Sequence, residues 1–360
     1  MRNSIGENIV LTLFGESHGN KIGAVLDGLP AGIKINLDKI SEQLQRRMPN
    51  EFETSRHEKD NFEIVSGVFN DFTTGAPLTI LIDNNDVDSS NYKENYGLAR
   101  PSHLDYTTHV KFNGYEDYRG GGHYSGRITA AIVAIGSICQ DILSKKNIYV
   151  GSHILQCGTL KDRKFNDVLS DIKMLNENNS YFLNDLKEEY ASQLKLLKEK
   201  KDSIGGIIQT GIVGLPVGVG EPWFSSLEGV IANAVFSIGG VKGIEFGKGF
   251  EFSNTFGSLA NDSYKMEDEK VVTLTNNNGG INGGISNGMP VVFQTAIKPT
   301  PSIGKIQNTI DFVKQTNAKI AIKGRHDPAI IRRICPVINN LIAIILCDML
   351  SINFGNNFLA

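Results

Sequence analysis

A chain of 360 residues, 40% hydrophobic and 21% charged, is long enough to bury one large core or two modest ones. A net charge of -3 gives no general field for nucleic acid, so basic residues matter only where they cluster, and the expected partner is a small molecule. The first residues hold no long apolar stretch before Glu16. The run from Pro336 to Leu350, interrupted by Asn339 and Asn340, falls short of the ~20 residues of a membrane span, so neither export nor a membrane is expected. Cys139, Cys157, Cys335 and Cys347 form no C-x-x-C pair and no zinc spacing, which fits reduced core thiols and no metal.

Ile9 to Phe14 alternates as a strand and runs into Gly15-Glu16-Ser17-His18-Gly19, a turn holding an acid, a hydroxyl and an imidazole between glycines. His18 there is either a hydrogen-bonded turn residue or a catalytic one. A strand at Ala24 to Leu26 precedes Gly28-Leu29-Pro30-Ala31-Gly32. A helix follows with Asp38 as its expected N-cap and Ile40, Leu44 and Met48 on one face. Arg46 and Arg47 end that helix, as dipole compensation or as a ligand grip. Arg56 and His57 follow in a polar loop, and Ile64 to Ile82 gives two strands around Thr73-Thr74-Gly75-Ala76-Pro77.

The densest stretch is Arg100 to Arg127. Gly120, Gly121 and Gly122 permit φ > 0 and bare amides against a ligand, Arg119, His123 and Arg127 surround them with donors, and Ile128 to Leu143 reads as a helix placing the glycine turn at its N-terminus. The stretch reads as an anion site or as a surface hairpin with charged tips. Lys161 to Asp202 is charged, with Leu183, Leu186, Tyr190, Leu194 and Leu197 at helical intervals, and reads as a solvated helical excursion.

Beyond it the chain restarts. Gly214-Leu215-Pro216-Val217-Gly218 and the helix after Ser226 echo Gly28 to Gly32 and its helix, and Ser286-Asn287-Gly288-Met289-Pro290 echoes Thr73 to Pro77. One domain over 1–360, built of duplicated halves at roughly 1–150 and 205–360 with an excursion at 161–202, is expected, its ligand cleft between the halves. The second half adds the glycine-rich segment 276–288, the rigid platform Lys298-Pro299-Thr300-Pro301-Ser302, and Gly324-Arg325-His326-Asp327-Pro328 before a helix beginning near Ala329. Arg332 and Arg333 in that helix's first turns oppose its dipole and call for an anion. No nucleotide fingerprint, serine triad or zinc motif is present. The residues alone describe an enzyme that holds a multiply anionic small molecule, a phosphate ester, and moves protons with histidine and aspartate.

Taken in order, FGESHG (14–19), RPSHLDYT (100–107), DYRGGGHYSGR (117–127), GGINGGISNG (279–288), KPTPS (298–302) and GRHDP (324–328) resemble chorismate synthase through nearly the whole chain; only the excursion matches poorly. The resemblance implies an α+β sandwich with helices packed between two antiparallel sheets, a homotetramer in the cytoplasm, and the last shikimate-pathway step. In that step 5-enolpyruvylshikimate 3-phosphate loses phosphate and a ring proton in the presence of reduced FMN. It implies His18 as the acid near the departing phosphate, His103 as the proton donor to the flavin ring, and Asp327 as the group that removes the ring proton together with flavin N5. It further implies FMN contacts at His123, Tyr124, Ser125, Gly239, Gly240, Gly283, Lys298, Pro299, Thr300, Pro301, Ser302 and Arg325, and a substrate grip by Arg47, Arg127 and Arg325.

Three departures from the family pattern stand out. His123 stands where many members have arginine, so a permanent cation becomes titratable. Gly239 and Gly240 replace the usual Asn-Ala, leaving backbone contacts. The loop after Pro49 is shorter, lacking an arginine that accompanies the NADP contact assigned to Arg47. With no domain to reduce flavin, an external source of reduced FMN is expected. The competing class is a flavin-dependent oxidoreductase, which would consume reduced flavin one for one, and a third is a non-catalytic phosphate-binding module.

Overall fold

The computed structural model describes residues 3–50, 53, 60–85, 95–322 and 327–360. Its first sheet is built from β1 (Ser4–Ile5), β2 (Val10–Gly15), β3 (Lys21–Asp27), β4 (Phe62–Ser66) and β5 (Leu78–Asp83), in the spatial order β1-β2-β3-β5-β4. The second contains β6 (Tyr149–Cys157), β7 (Leu160–Lys161), β8 (Gly206–Val213), β9 (Val241–Phe246) and β10 (Val291–Ile297), in the order β9-β10-β8-β6-β7. Every ladder in both sheets is antiparallel. In each sheet an antiparallel pair (β2-β3, β6-β8) is extended by a strand from later in the chain (β5, β10) and edged by the strand that precedes it (β4, β9).

Between the sheets lies a layer of helices. These are α1 (Leu37–Arg47), α3 (Thr129–Lys145), α6 (Leu227–Phe236) and α7 (Ile331–Phe354), while α2 (Asp105–Lys111) sits beside the candidate site. The sandwich of helices between antiparallel sheets is therefore as expected. Leu11, Ile22, Leu26, Ile80 and Ile82 from one sheet and Ile154, Ile208, Ile212 and Phe293 from the other face this layer and are buried. α3 and α7 cross closely. A Cβ on Gly136 would stand 2.4 Å from the Asn340 carbonyl oxygen, so only glycine permits the approach.

Several local expectations change. The N-cap of α1 is Asn36, whose side chain accepts from the amides of Asp38 and Lys39, so Asp38 lies inside the first turn. Between β4 and β5 the chain adds a small hairpin, Val68–Phe69 with Phe72–Thr73, to the two strands foreseen. The C-terminal run does not break at Asn339 and Asn340: α7 is 24 residues, long and apolar enough by length and composition to cross a bilayer, but its apolar window is wholly buried within the fold. Asn339 Oδ1 accepts from Ser152 Oγ at 2.5 Å, and Asn340 Nδ2 donates to the Pro336 carbonyl at 2.7 Å, so each amide has a core partner, although Asn340 Oδ1 is buried with none among the described residues.

The segment 161–202 forms α4 (Val168–Glu177) and α5 (Lys187–Glu199), yet it is more than a solvated excursion. α4 packs on β6 and β8. Tyr181, Phe182, Tyr190 and Leu194 are buried in the main core. All four cysteines are buried and free.

Candidate active site

The turn after β2 and the glycine triplet meet directly. Ser17 N donates to the Gly122 carbonyl at 3.0 Å, and His123 Nδ1 donates to the Gly15 carbonyl at 2.8 Å, which fixes the proton of that ring on Nδ1. Gly120, Gly121 and Gly122 all have positive φ, +59°, +90° and +52°, as their sequence suggested. Gly120 is pressed against the His18 ring, and Gly121 lies next to His103 Cε1. Consecutive glycines of one tight turn thus pack against the two histidines. The helix N-terminus is not at the triplet, however: Ser125 caps a short turn at Gly126–Ile128, and α3 begins only at Thr129.

His103 is held by a partner the motif reading passed over. Its Nδ1 donates to Asp105 Oδ1 at 3.0 Å, while Arg100 grips the same carboxylate through Nε at 2.8 Å and Nη2 at 2.6 Å. Burial alone would raise the Asp105 acid, but the hydrogen bonds from Arg100 and His103 outweigh it and hold the carboxyl far below its usual range. Burial in turn lowers His103, partly offset by Asp105. The outcome is an oriented, mostly neutral imidazole with Nε2 turned away from its anchor. The signal was available in the R-P-S-H-L-D order, where Asp105 follows His103 by two residues.

The platform at 298–302 closes this side. Lys298 Nζ donates to the Ser102 carbonyl at 2.7 Å, its amide donates to the Gly240 carbonyl at 2.9 Å, and Arg100 Nη1 reaches Ser302 Oγ at 3.4 Å. Gly239 and Gly240 follow the C-terminus of α6. Gly283 belongs to the hairpin Ile281–Asn282/Ile285–Ser286, where Gly284 abuts Ser226, the N-cap of α6. The two glycine positions are therefore about 15 Å apart at 1.5 Å per helical residue, and a single chain does not bring Gly283 to Gly240.

Arg47 and Arg127 do come together, around a buried carboxylate. Asp60 binds Arg127 Nη1 and lies 3.4 Å from Arg47 Nη1, with all three side chains at most 5% exposed. Arg47 also donates to Gly126 O at 2.8 Å and to Thr129 Oγ1 at 3.0 Å. Both guanidinia are thus already paired internally, and an incoming anion joins a charge network rather than two free cations.

From Arg47 the network continues. Its carbonyl accepts from Arg333 Nε at 3.3 Å, and Arg333 Nη1 lies 3.3 Å from Asp327 Oδ2. The anion that Arg332 and Arg333 call for is supplied within the chain, since Arg332 binds Glu53 through Nε and Nη2 at 2.6 Å each. α7 starts at Ile331, two residues later than expected. Asp327 is pushed up to about 6, chiefly by burial and further by Glu53, with Arg333 opposing. Arg56, His57, Arg325 and His326 lie outside the described residues.

Among the described residues, no group of three or more His, Cys, Asp or Glu could hold a metal. Two hydroxyls of the site, Ser17 Oγ and Thr300 Oγ1, are buried with no hydrogen-bond partner among the described residues. Motif reading assigned Ser17 no role, although it sits beside His18. A separate cavity of about 320 Å³ between β1, α6 and α7, lined by Gly6, Glu7, Phe224, Val230, Met349 and Asp348, contains none of the candidate residues.

Comparison with known proteins identifies the family and agrees with the fold. A family model described as chorismate synthase matches residues 9–351. Proteins named chorismate synthase from Dehalococcoides mccartyi and Pyrococcus abyssi are each 41% identical, over 355 and 349 residues, covering 97% and 96% of this chain and 96% of each relative. One from Methanosarcina barkeri is 41% identical over 361 residues, covering 98% of both. A crystal structure of chorismate synthase superposes with a TM-score of 0.78 at 28% identity, covering 98% of this chain and 94% of the other. The chain belongs to the chorismate synthase family, flavin-dependent lyases that eliminate phosphate from 5-enolpyruvylshikimate 3-phosphate to give chorismate in the shikimate pathway of aromatic amino acid biosynthesis.

Proposed function

We propose that His18, His103 and Asp327 carry the proton movements of this elimination, and that reduced FMN is the flavin it uses. The observation that carries the reading is the glycine turn: Gly120 packs against the His18 imidazole and Gly121 against that of His103, and Gly126, Arg47 and Arg333 link the turn by hydrogen bonds to Asp327, an acid raised toward neutrality. His18 would donate to the leaving phosphate, as the resemblance implies. Asp327, deprotonated above about pH 6, is a competent base for the ring proton. Arg47 and Arg127, with Asp60 between them, orient the anionic substrate, and the motif adds Arg325.

The chain's residues fit a flavin. The Lys298 cation, the Thr300 hydroxyl without a partner among the described residues, the open space over Gly239 and the oriented His103 ring offer a phosphate contact and an imidazole Nε2 toward a planar ring. By the resemblance, His123, Tyr124, Ser125, Pro299, Pro301 and Ser302 would add further flavin contacts. When bound there, reduced FMN would supply the transient electron density that eases departure of the phosphate. Without the second arginine of the family pattern in the loop after Pro49, Arg47 makes a poor NADP anchor.

We also read the matching strand orders of the two sheets as the two halves of a duplicated unit in one domain. The enzyme would work in the cytoplasm with flavin reduced elsewhere. The exposed Trp223, Phe224, Phe250 and Phe256 support an association between copies, a homotetramer by the resemblance. The test is anaerobic turnover of 5-enolpyruvylshikimate 3-phosphate with pre-reduced FMN, counting chorismate, phosphate and flavin redox state. Many turnovers per flavin, lost in His18→Ala and Asp327→Asn, bear the reading out. Flavin oxidised one for one would replace it with an oxidoreductase.

A further inference from the structure

The segment that the motifs leave without chemistry is bolted to the candidate base. Glu53 is fully buried and receives four contacts: Arg332 through Nε and Nη2 at 2.6 Å each, the Asn50 amide at 3.0 Å, and the Tyr190 hydroxyl of α5 at 3.5 Å. Arg332 also donates to the Met48 and Arg46 carbonyls at the end of α1. The Tyr181 ring lies 5.1 Å from the Arg46 guanidinium and 5.8 Å from that of Arg332, and its hydroxyl bonds to Arg46. Asn176 of α4 takes the other end of Arg46 at 2.7 Å. The 168–199 segment therefore grips the C-terminus of α1 and the first turn of α7 together.

Adjacent arginines in that turn divide two carboxylates. Arg333 faces Asp327, and Arg332 is saturated by Glu53. The groups facing Asp327 from the packed elements are Arg333 of α7, the Ala329 amide, Glu53, and Tyr190 of α5. Were Glu53 neutral, Arg332 would lose its counter-ion one residue from Arg333, the partner of Asp327.

We propose that Glu53 is a positioning residue for Asp327: it cancels the charge of Arg332, leaves Arg333 as the cation that sets the basicity of Asp327 among the described residues, and ties this balance through Tyr190 to the 168–199 segment. The inference rests on Asp327 being the base only for its consequence in turnover. The charge balance itself is readable in the protein alone.

The experiment is a carboxyl-carbon NMR titration of the full chain labelled with 13C-aspartate, the Asp327 signal being assigned by its loss in Asp327→Asn. Glu53→Gln is expected to move the Asp327 midpoint down by about one pH unit, Arg332→Gln to move it up by a similar amount, and the double variant to restore it. A structural defect would not give opposite shifts that cancel. If one single variant fails to fold, the other, set against the charge-balanced double, makes the same comparison. An unmoved midpoint, or shifts in one direction in both single variants, overturns the proposal. The acid limb of turnover is recorded beside it: midpoints that move while the limb stays fixed would remove Asp327 as the base and leave the positioning intact.

Discussion

Replacing Gly120 by alanine tests whether the glycine turn sets the place of His18. The new Cβ would lie 2.3 Å from His18 Cε1, 2.6 Å from Nδ1 and 2.9 Å from Ser17 Oγ. Restoring ordinary contact requires the imidazole to retreat by about 1 Å, and a misplacement of that size at a reacting group costs on the order of 100-fold in rate. The residue's φ of +59° adds backbone strain of about 1 kcal/mol, which for a chain of this size lowers the melting temperature by roughly 2 °C. Gly121→Ala is the control. It has φ of +90° but its Cβ would meet nothing nearer than His103 Cε1 at 3.8 Å, so it shares the strain without displacing a ring. Steady-state kinetics with pre-reduced FMN, beside thermal melts, should show kcat down about 100-fold in Gly120→Ala with KM little changed, and kcat within a few-fold of wild type in Gly121→Ala. A folded Gly120→Ala enzyme with wild-type kcat, or equal losses in both variants, would refute the reasoning.

Asp105→Asn removes the carboxylate shared by Arg100 and His103; kcat should fall by about 10- to 100-fold, and stability by about 3 kcal/mol because Arg100 loses its counter-ion, both measurable by turnover and denaturant melts. Asp327 is raised to about 6 from an ordinary value near 3.8, so the folded state holds this proton more tightly than the unfolded one. Its contribution to stability is therefore lost as pH rises from about 4 to 6, by up to roughly 3 kcal/mol, and urea melts across that window should lose this slope in Asp327→Asn. Turnover should fall as pH drops below about 6, where the base is protonated. Gly136→Ala would place a Cβ 2.4 Å from the Asn340 carbonyl oxygen and should cost about 2 kcal/mol by forcing α3 from α7, seen as an earlier thermal transition with the motif residues untouched.

The sandwich and its principal strands were legible because their signals are local: Leu78 to Ile82 alternates and Thr129 to Lys145 is apolar through its length. The histidines and Asp327 were legible because motifs name them. Their supports were not. Asp60 joins Arg47 across 13 residues and Arg127 across 67, and Glu53 meets Arg332 across 279, so no window of sequence shows that these charges cancel. Arg332 and Arg333 did announce a missing anion through their place at a helix start, but a carboxylate of the chain meets that demand as well as a ligand does. Asn339 and Asn340 misled because a polar pair in an apolar run looks like an interruption, whereas Ser152 and the Pro336 carbonyl turn each amide into a core contact.

The burial of all four cysteines has a practical reach. Burial raises the Cys157 thiol to about 12, Cys335 is raised further by burial, and Cys347 is raised by its neighbour Cys139 and by burial, so the reactive thiolate is scarce in the native protein. Cys139 sits on α3, Cys335 and Cys347 on α7, and Cys157 on β6, all inside the sandwich. Alkylating reagents should reach them only when the helix layer parts from its sheets. The rate of thiol labelling is therefore a built-in clock for opening of the core, read without any added probe.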